Sequence, residues 1–179
     1  MKASMSIIYR VGIVVFLLFA VLVSCNSNSR EKLLKQIQRA EAEMNEANAF
    51  NQQKGKELID AYAVFAETYP DDSLSAAFLF RAGELSMNLQ QSEQAIAYFN
   101  KVRAAYPSFY KAPECLFLKA FVFENQLNNL KDAEIYYKEF IANYPNHALT
   151  DDAVASLEYL GKSPEELVRM FQEKNAELQ

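Results

Sequence analysis

Cysteine, histidine and glycine are scarce in this chain, and their scarcity excludes several kinds of site. The 179 residues include two cysteines, four glycines and a single histidine, His147. One histidine rules out histidine-rich zinc sites and gives no basis for a His-dependent catalytic triad. No glycine-rich phosphate loop is present, and no serine or cysteine has a plausible base. We therefore predict a protein that is not an enzyme, with no catalytic residues, no cofactor and no metal site.

The alternation of polar with β-branched residues that marks strands is also missing. Good helix formers dominate the chain after residue 30, chiefly Ala, Leu, Glu, Lys and Gln. The pairs Asp71-Asp72, Asp151-Asp152 and Glu165-Glu166 are read as the acidic residues that helix starts favour. The sequence therefore predicts an all-α fold.

One apolar run stands near the N-terminus. Val11–Val23 is 13 residues long and follows the basic residues Lys2 and Arg10. A bilayer span needs about 20 residues, whereas a basic start followed by a short apolar run is typical of a secretory signal.

The run ends in Leu22-Val23-Ser24-Cys25, which resembles the lipobox of bacterial lipoproteins. The resemblance implies cleavage before Cys25 and acylation of Cys25. Asn26, in place of the Asp that favours inner-membrane retention, implies the outer membrane, and we expect its periplasmic face. The alternative is an ordinary cleaved signal with an incidental cysteine. The domains expected are a signal peptide over 1–24, a lipidated tether over 25–29 and a helical domain over 30–179.

The expected mature chain is acidic. Removing residues 1–24 leaves 155 residues with 16 basic and 23 acidic side chains. This balance argues against nucleic acid, which is bound through Lys and Arg, and against a polybasic membrane patch. We expect the lipid to hold the protein to the membrane. Cys115 then remains as the only other cysteine, so no intramolecular disulfide forms, and its apolar surroundings predict a buried thiol.

Three Tyr-Pro pairs recur through the chain. Pro70, Pro107 and Pro145 are 37 and 38 residues apart, and proline cannot continue a helix. An aromatic residue stands eight positions before each proline, and a smaller or aliphatic residue twelve before: Tyr62, Phe99 and Tyr137, then Leu58, Ala95 and Ala133. A regular period of this size indicates a solenoid.

This pattern resembles the second helix of the tetratricopeptide repeat. The chain thus resembles a tetratricopeptide-repeat protein over roughly residues 30–174, with two good repeats at about 73–107 and 110–145 and a degenerate one on each side. The first-helix half is weaker, with Gly83 and Ala120 at the small positions where helices approach closely. The resemblance implies a right-handed superhelix of about four antiparallel helix hairpins. The expected helices are 29–50, 55–69, 74–89, 92–106, 112–127, 130–144, 150–161 and 164–176, the last covering the end of the stack through Leu167, Met170 and Phe171.

The first of these helices has apolar residues at heptad spacing: Leu33, Ile37, Ala40, Met44 and Ala47. One interpretation is a coiled-coil arm directed at a partner. The other is an amphipathic helix packed on the next hairpin. Two of the five seam residues are only alanine, and three heptads are the minimum for a coiled coil, so we expect the packed helix.

In the tetratricopeptide family, the first helix of each hairpin lines a concave surface. The resemblance places there Phe80, Glu84 and Met87, then Glu114, Phe117, Phe121, Glu124 and Asn125, with Phe50, Asp152 and Tyr159 as extensions. Such an aromatic floor with acidic edges would suit a peptide with apolar anchors and basic residues. The alternative is that these aromatic rings are core. Our hypothesis is that replacing Phe117 and Phe121 together by alanine abolishes partner binding with little change in melting.

A lipoprotein made of tetratricopeptide repeats also resembles the BamD-type lipoproteins of outer-membrane β-barrel assembly. That likeness implies a barrel-forming insertase as the partner. The chain is shorter than that family, with about four hairpins instead of five. The Tyr-Pro endings resemble the periplasmic factor that coordinates Tol-Pal with peptidoglycan synthesis, but this chain carries a lipobox and lacks a convincing trimeric coiled coil. Three functions stay open: an assembly scaffold, an envelope coordination factor, and an adaptor of a secretion or motility machine.

Overall fold

The structure, a computed structural model, describes residues 29–44 and 51–177. The predicted signal peptide, the expected lipidation site Cys25 and Phe50 lie outside the described residues.

All regular secondary structure in the described residues is helical, as the sequence predicts. Helix α1 is described over residues 29–44, and the next seven helices follow the predicted positions to within three residues at each end. They are α2 (Gln52–Thr68), α3 (Ser75–Asn88), α4 (Ser92–Ala105), α5 (Ala112–Asn125), α6 (Leu130–Asn143), α7 (Thr150–Tyr159) and α8 (Pro164–Glu177).

The chain forms two compact units, one up to Asp72 and one from Ser73. In the first unit, α1 is packed and does not project as a free arm over its described length. Ile37 is fully buried, the Tyr62 hydroxyl donates to Glu41 at 2.6 Å, and Arg30 pairs with Asp72 through two hydrogen bonds. These contacts support the packed helix over the coiled-coil arm for residues 29–44.

In the second unit, each helix from α3 to α7 packs on its neighbour along the chain: α3 on α4, α4 on α5, α5 on α6 and α6 on α7. The repeated positions found in the sequence form the core. Ala95, Phe99, Ala133 and Tyr137 are all fully buried. Since neighbouring hairpins stack through equivalent residues, the packing is that of a tetratricopeptide-like solenoid.

The three Tyr-Pro pairs end their helices in one backbone conformation. Tyr69, Tyr106 and Tyr144 have φ between −129° and −135° and ψ between 56° and 62°. A residue before proline is pushed out of the helical region by the proline ring. Each tyrosine N–H still bonds to a carbonyl of the last turn, from Phe65, Val102 and Phe140 respectively. The dipeptide therefore stops each helix without leaving that N–H unpaired.

Hydroxyl side chains make hydrogen bonds at the starts of the last two helices. Ser163 and Glu166 form a capping box: the Glu166 N–H donates to the Ser163 hydroxyl at 3.2 Å, and the Ser163 N–H donates to the Glu166 carboxylate at 2.8 Å. Thr150 is the first residue of α7, and its hydroxyl donates to the Tyr144 carbonyl at 2.7 Å. Thr150 thus fixes the preceding turn.

The last helix covers the stack less fully than expected. None of the side chains described in α8 is buried. Phe171 contacts the ring of Tyr159 at 5.6 Å but remains 48% exposed. Leu167 and Met170 are half-buried, so the inward-facing role predicted for Phe171 needs correction.

Gly83 lies where α3 meets α4, and we expect Gly83→Ala to destabilise the fold. A Cβ at residue 83 would stand 2.5 Å from Cε1 of Phe99, and the Phe99 side chain is itself fully buried. Alanine gains about 1 kcal/mol of helix propensity over glycine, but overpacking costs about 1–3 kcal/mol. Urea unfolding followed by circular dichroism should show a net loss of stability.

We attribute this loss of stability to a clash with the Phe99 ring, and a second variant tests that cause. Gly83→Ala combined with Phe99→Leu should be less destabilised than the two single changes added together, because the smaller side chain makes room. A Gly83→Ala protein as stable as the parent would show that the two helices separate at little cost.

Candidate protein-binding site

The residues predicted to bind a partner lie on α3 and α5, the first helices of two successive hairpins. Phe80 and Glu84 are one helical turn apart on α3. Glu114, Phe117, Phe121 and Glu124 follow one face of α5 at spacings of three and four. All six belong to the second compact unit.

Phe80 is a core residue. Its side chain is 2% exposed, and its ring lies 6.1 Å from that of Phe99 and 6.2 Å from that of Phe109. The Lys111 ammonium stands 4.7 Å from the ring centroid. The ring is therefore closed to a partner, and Phe80 is removed from the predicted floor of the groove.

Phe117 is half-buried and wedged into the α5–α6 hairpin. Its ring meets the rings of Tyr137 and Phe140 edge-on, at 5.6 and 5.7 Å. Such aromatic pairs contribute stability beyond the area that they bury. Phe117 thus supports the hairpin, and a partner could reach only part of its surface.

Phe121 is the most open of the three predicted aromatic residues. It lies one turn after Phe117 on α5 and is 38% exposed. Asn125, a further turn along, donates from its side-chain amide to the Phe121 carbonyl at 3.1 Å. An exposed ring held on a helix is a suitable apolar anchor for a partner.

Glu84 and Glu114 share the cation of Lys111. Lys111 pairs with Glu114 at 3.3 Å. Burial raises the pKa of the Glu84 carboxyl, Glu114 raises it further, and Lys111 and Arg81 oppose the rise. A carboxylate that is half removed from water and next to another carboxylate gains from an additional cation. These groups therefore favour a basic side chain on a partner.

Glu124 has a different role, because it is bonded within the fold. Its carboxylate accepts a hydrogen bond from the Tyr137 hydroxyl at 2.7 Å. Burial, together with this contact, raises the pKa of Tyr137. This hydrogen bond joins α5 to α6, so the main role of Glu124 is to stabilise the hairpin and not to form the binding surface.

The sequence comparison agrees with this geometry. Residues 77–108 and 114–147 match the family model described as a tetratricopeptide repeat. These two segments are tetratricopeptide repeats. No curated protein matches the chain.

The further residues expected along the concave face are unevenly placed. Met87, in the first repeat, is half-buried, and its carbonyl accepts from the Gln126 side chain at 2.8 Å. Beyond the second repeat, Asp152 is exposed and Tyr159 is half-buried against Phe171.

Two lysines have structural roles that were not predicted from the sequence; one lies within the second repeat and one just before it. Lys111, just before α5, contacts Phe80 and Glu114 as described. Lys119 is 8% exposed, donates to Asn100 Oδ1 at 3.0 Å and lies 3.8 Å from the Tyr136 ring centroid. The burial of Lys119 could have been predicted from its position in the repeat, which corresponds to Ala82 in the first repeat.

Within residues 29–44 and 51–177, no three His, Cys, Asp or Glu side chains are placed to hold a metal ion. Cys115 is buried as predicted, and burial raises the pKa of its thiol to about 12. The ring of His147 lies 5.4 Å from that of Phe140, and its Nδ1 accepts from the Leu149 N–H. None of the helices described is long and apolar enough to cross a membrane.

Proposed function

We propose that this protein is a lipid-anchored scaffold of the bacterial outer membrane that binds a protein partner on the periplasmic side and carries out no catalysis. The observation that carries the proposal is the pair of adjacent tetratricopeptide repeats, whose first helices bear the open Phe121 ring and the carboxylates of Glu84 and Glu114. Repeats of this kind generally bind protein or peptide partners.

The surface chemistry suggests the character of the partner. Phe121 supplies an apolar contact, while Glu84 and Glu114 favour a cation. A helical or extended peptide with an apolar anchor and a nearby Lys or Arg would satisfy both. The acidic balance of the chain, with 23 acidic and 18 basic residues, favours such a partner over nucleic acid.

Attachment to the membrane is supported by the sequence Leu22-Val23-Ser24-Cys25, which has the form of a lipobox. Asn26 favours the outer membrane. With this anchor, the resemblance to BamD-type lipoproteins makes β-barrel assembly the preferred role, with a barrel-forming insertase as the partner. The alternatives are coordination of Tol-Pal with peptidoglycan synthesis, and adaptation of a secretion or motility machine.

Affinity capture of the tagged protein from crosslinked membranes, with mass spectrometry, separates these roles. Recovery of an outer-membrane insertase with its periplasmic transport-associated domains would support barrel assembly. Recovery of Tol proteins, peptidoglycan synthases or secretion components would exclude it as the main role and favour an alternative.

The site itself is tested by Phe121→Ala in the same capture. We expect recovery of the main partner to fall about tenfold or more, as for other exposed aromatic anchors. Ile135→Ala is the matched control, because Ile135 is 49% exposed but lies on α6, the second helix of its hairpin. Equal losses in both variants, or no loss in either, would contradict a site on α5.

A further inference from the structure

The outward face of α1 is basic, although the chain as a whole is acidic. Lys32, Lys35 and Arg39 are exposed and stand at positions i, i+3 and i+7, which lie on one side of a helix. Ile37, fully buried, lies on the opposite side. We call these three residues the α1 basic face. Together with Glu31 and Gln36, they border a surface depression of about 340 Å³.

These charges are only partly used within the protein. Lys35 forms a surface ion pair with Glu31 at 2.7 Å. Neither Lys32 nor Arg39 pairs with an acidic side chain among the residues that the structure describes. Arg30, by contrast, is committed to Asp72. Two cations are therefore free to meet an external anion.

Stabilisation of the helix explains only one of these positions, because Lys35 pairs with Glu31 one turn before it. The N-terminal turn of a helix favours negative side chains, because the backbone dipole is positive there. Lys32 is the fourth described residue of α1. The acidic side chains Glu41 and Glu43 come later in α1, where they contact Tyr62 and Lys54 of α2. No ion pair among the described residues therefore accounts for Lys32 or Arg39.

We propose that the α1 basic face contacts the phosphate headgroups of anionic lipids beside the anchor, a proposal that rests on the acylation of Cys25 proposed above. Four residue steps separate Cys25 from residue 29, at most about 14 Å of extended chain. From there Lys32 is about 4.5 Å and Arg39 about 15 Å along the helix. All three cations are therefore within reach of the surface that would hold the lipid.

The net charge of the chain does not oppose this contact. Charges in solution are screened over about 8 Å at physiological salt, so a headgroup responds to the side chains next to it. Each Lys or Arg near an anionic membrane strengthens binding about fivefold. Three such residues are too few to hold the protein alone, but they are enough to orient α1 along a surface to which a lipid already attaches it.

The test uses the chain from Cys25 to Gln179, made without acylation and coupled through the Cys25 thiol to a maleimide lipid in vesicles. Cys115 should not react, because it is buried and its thiol pKa is about 12. Lysine acylation is then read by mass spectrometry. Labelling of Lys32 and Lys35 should fall about threefold or more on vesicles with phosphatidylglycerol compared with pure phosphatidylcholine.

Internal and matched controls are available in the chain. Lys101 and Lys131 are exposed on α4 and α6, and their labelling should be the same on both vesicles. High salt should remove the protection of Lys32. Arg39→Gln should weaken that protection, whereas Lys131→Gln, with the same change in charge, should not.

Equal labelling of Lys32 on the two vesicles would overturn the proposal and leave the face available to an acidic protein. Because the coupling to lipid is chemical, such a result would not bear on acylation of Cys25 in the cell. Loss of membrane attachment in the cell, tested separately below, would in turn not depend on the α1 basic face.

Discussion

Replacing Phe117 with alanine is expected to lower the free energy of unfolding by about 2–4 kcal/mol. The ring is wedged between Tyr137 and Phe140, at 5.6 and 5.7 Å, and its loss leaves a cavity in the α5–α6 hairpin. For a chain of this size, that loss corresponds to a fall in Tm of about 5–15 °C. Thermal unfolding followed by circular dichroism measures it.

Phe121→Ala on the same helix is the control, since its ring is 38% exposed. We expect this change to alter stability by less than about 1 kcal/mol. A Phe117→Ala protein that melts with the parent would show that the hairpin does not need the ring, and would restore Phe117 to the binding surface.

This expected difference changes the hypothesis drawn from the sequence. Replacing both rings was expected to abolish binding with little change in melting. Since Phe117 packs in the hairpin, the double variant would mix a folding defect with a binding defect. The single change at Phe121 is the informative one.

The repeat makes the division between core and surface regular. Phe80 and Phe117 are 37 residues apart and each packs on the second helix of its own hairpin, against Phe99 and Tyr137 respectively. Glu84 and Phe121, also 37 apart, follow one turn later and are more exposed. Within each first helix, one position therefore packs in the hairpin and the position one turn later is more open at the surface.

Much of the fold was predictable because local chemistry decides it. Proline ends a helix wherever it falls, so three Tyr-Pro pairs located three helix ends and their period. Gly83 and Ala120 indicated close helix contacts, and both lie buried in the structure. These features depend on neighbours in sequence or on a strict period.

The depth of individual rings was not predictable in the same way. Phe80 and Phe121 both lie on first helices in positions that the repeat assigns to the concave face. Phe80 is covered by Phe109 and Lys111 from the turn before α5, which carries no sequence motif. The burial of Phe80 depends on which side chains the neighbouring turn places over the helix. The sequence pattern of the helix itself does not predict this.

Local charge was hidden for a similar reason. The composition, with more acidic than basic residues, argued against a polybasic membrane patch. The structure shows that α1 turns Ile37 inward, so Lys32, Lys35 and Arg39 share the outer side. The net charge of the chain does not show that basic residues are grouped on one side of a helix. The grouping follows from the burial of the other side.

Cys25→Ala is expected to have an all-or-none effect on acylation. If Cys25 carries the acyl groups, the variant should incorporate no labelled palmitate, because the thiol is the attachment point. It should also leave the membrane fraction or persist as an uncleaved precursor, and the mass of the protein distinguishes these two forms.

The chain provides its own control in Cys115→Ala. Cys115 is buried, and its thiol pKa of about 12 leaves almost no reactive thiolate near neutral pH. This variant should keep the label and the membrane attachment of the parent. A parent protein that is processed and found in the soluble fraction would contradict the lipid anchor. The repeats would then still provide a protein-binding scaffold. The membrane contact that we propose for the α1 basic face would no longer be supported, because three basic side chains alone would not hold an acidic protein at a membrane.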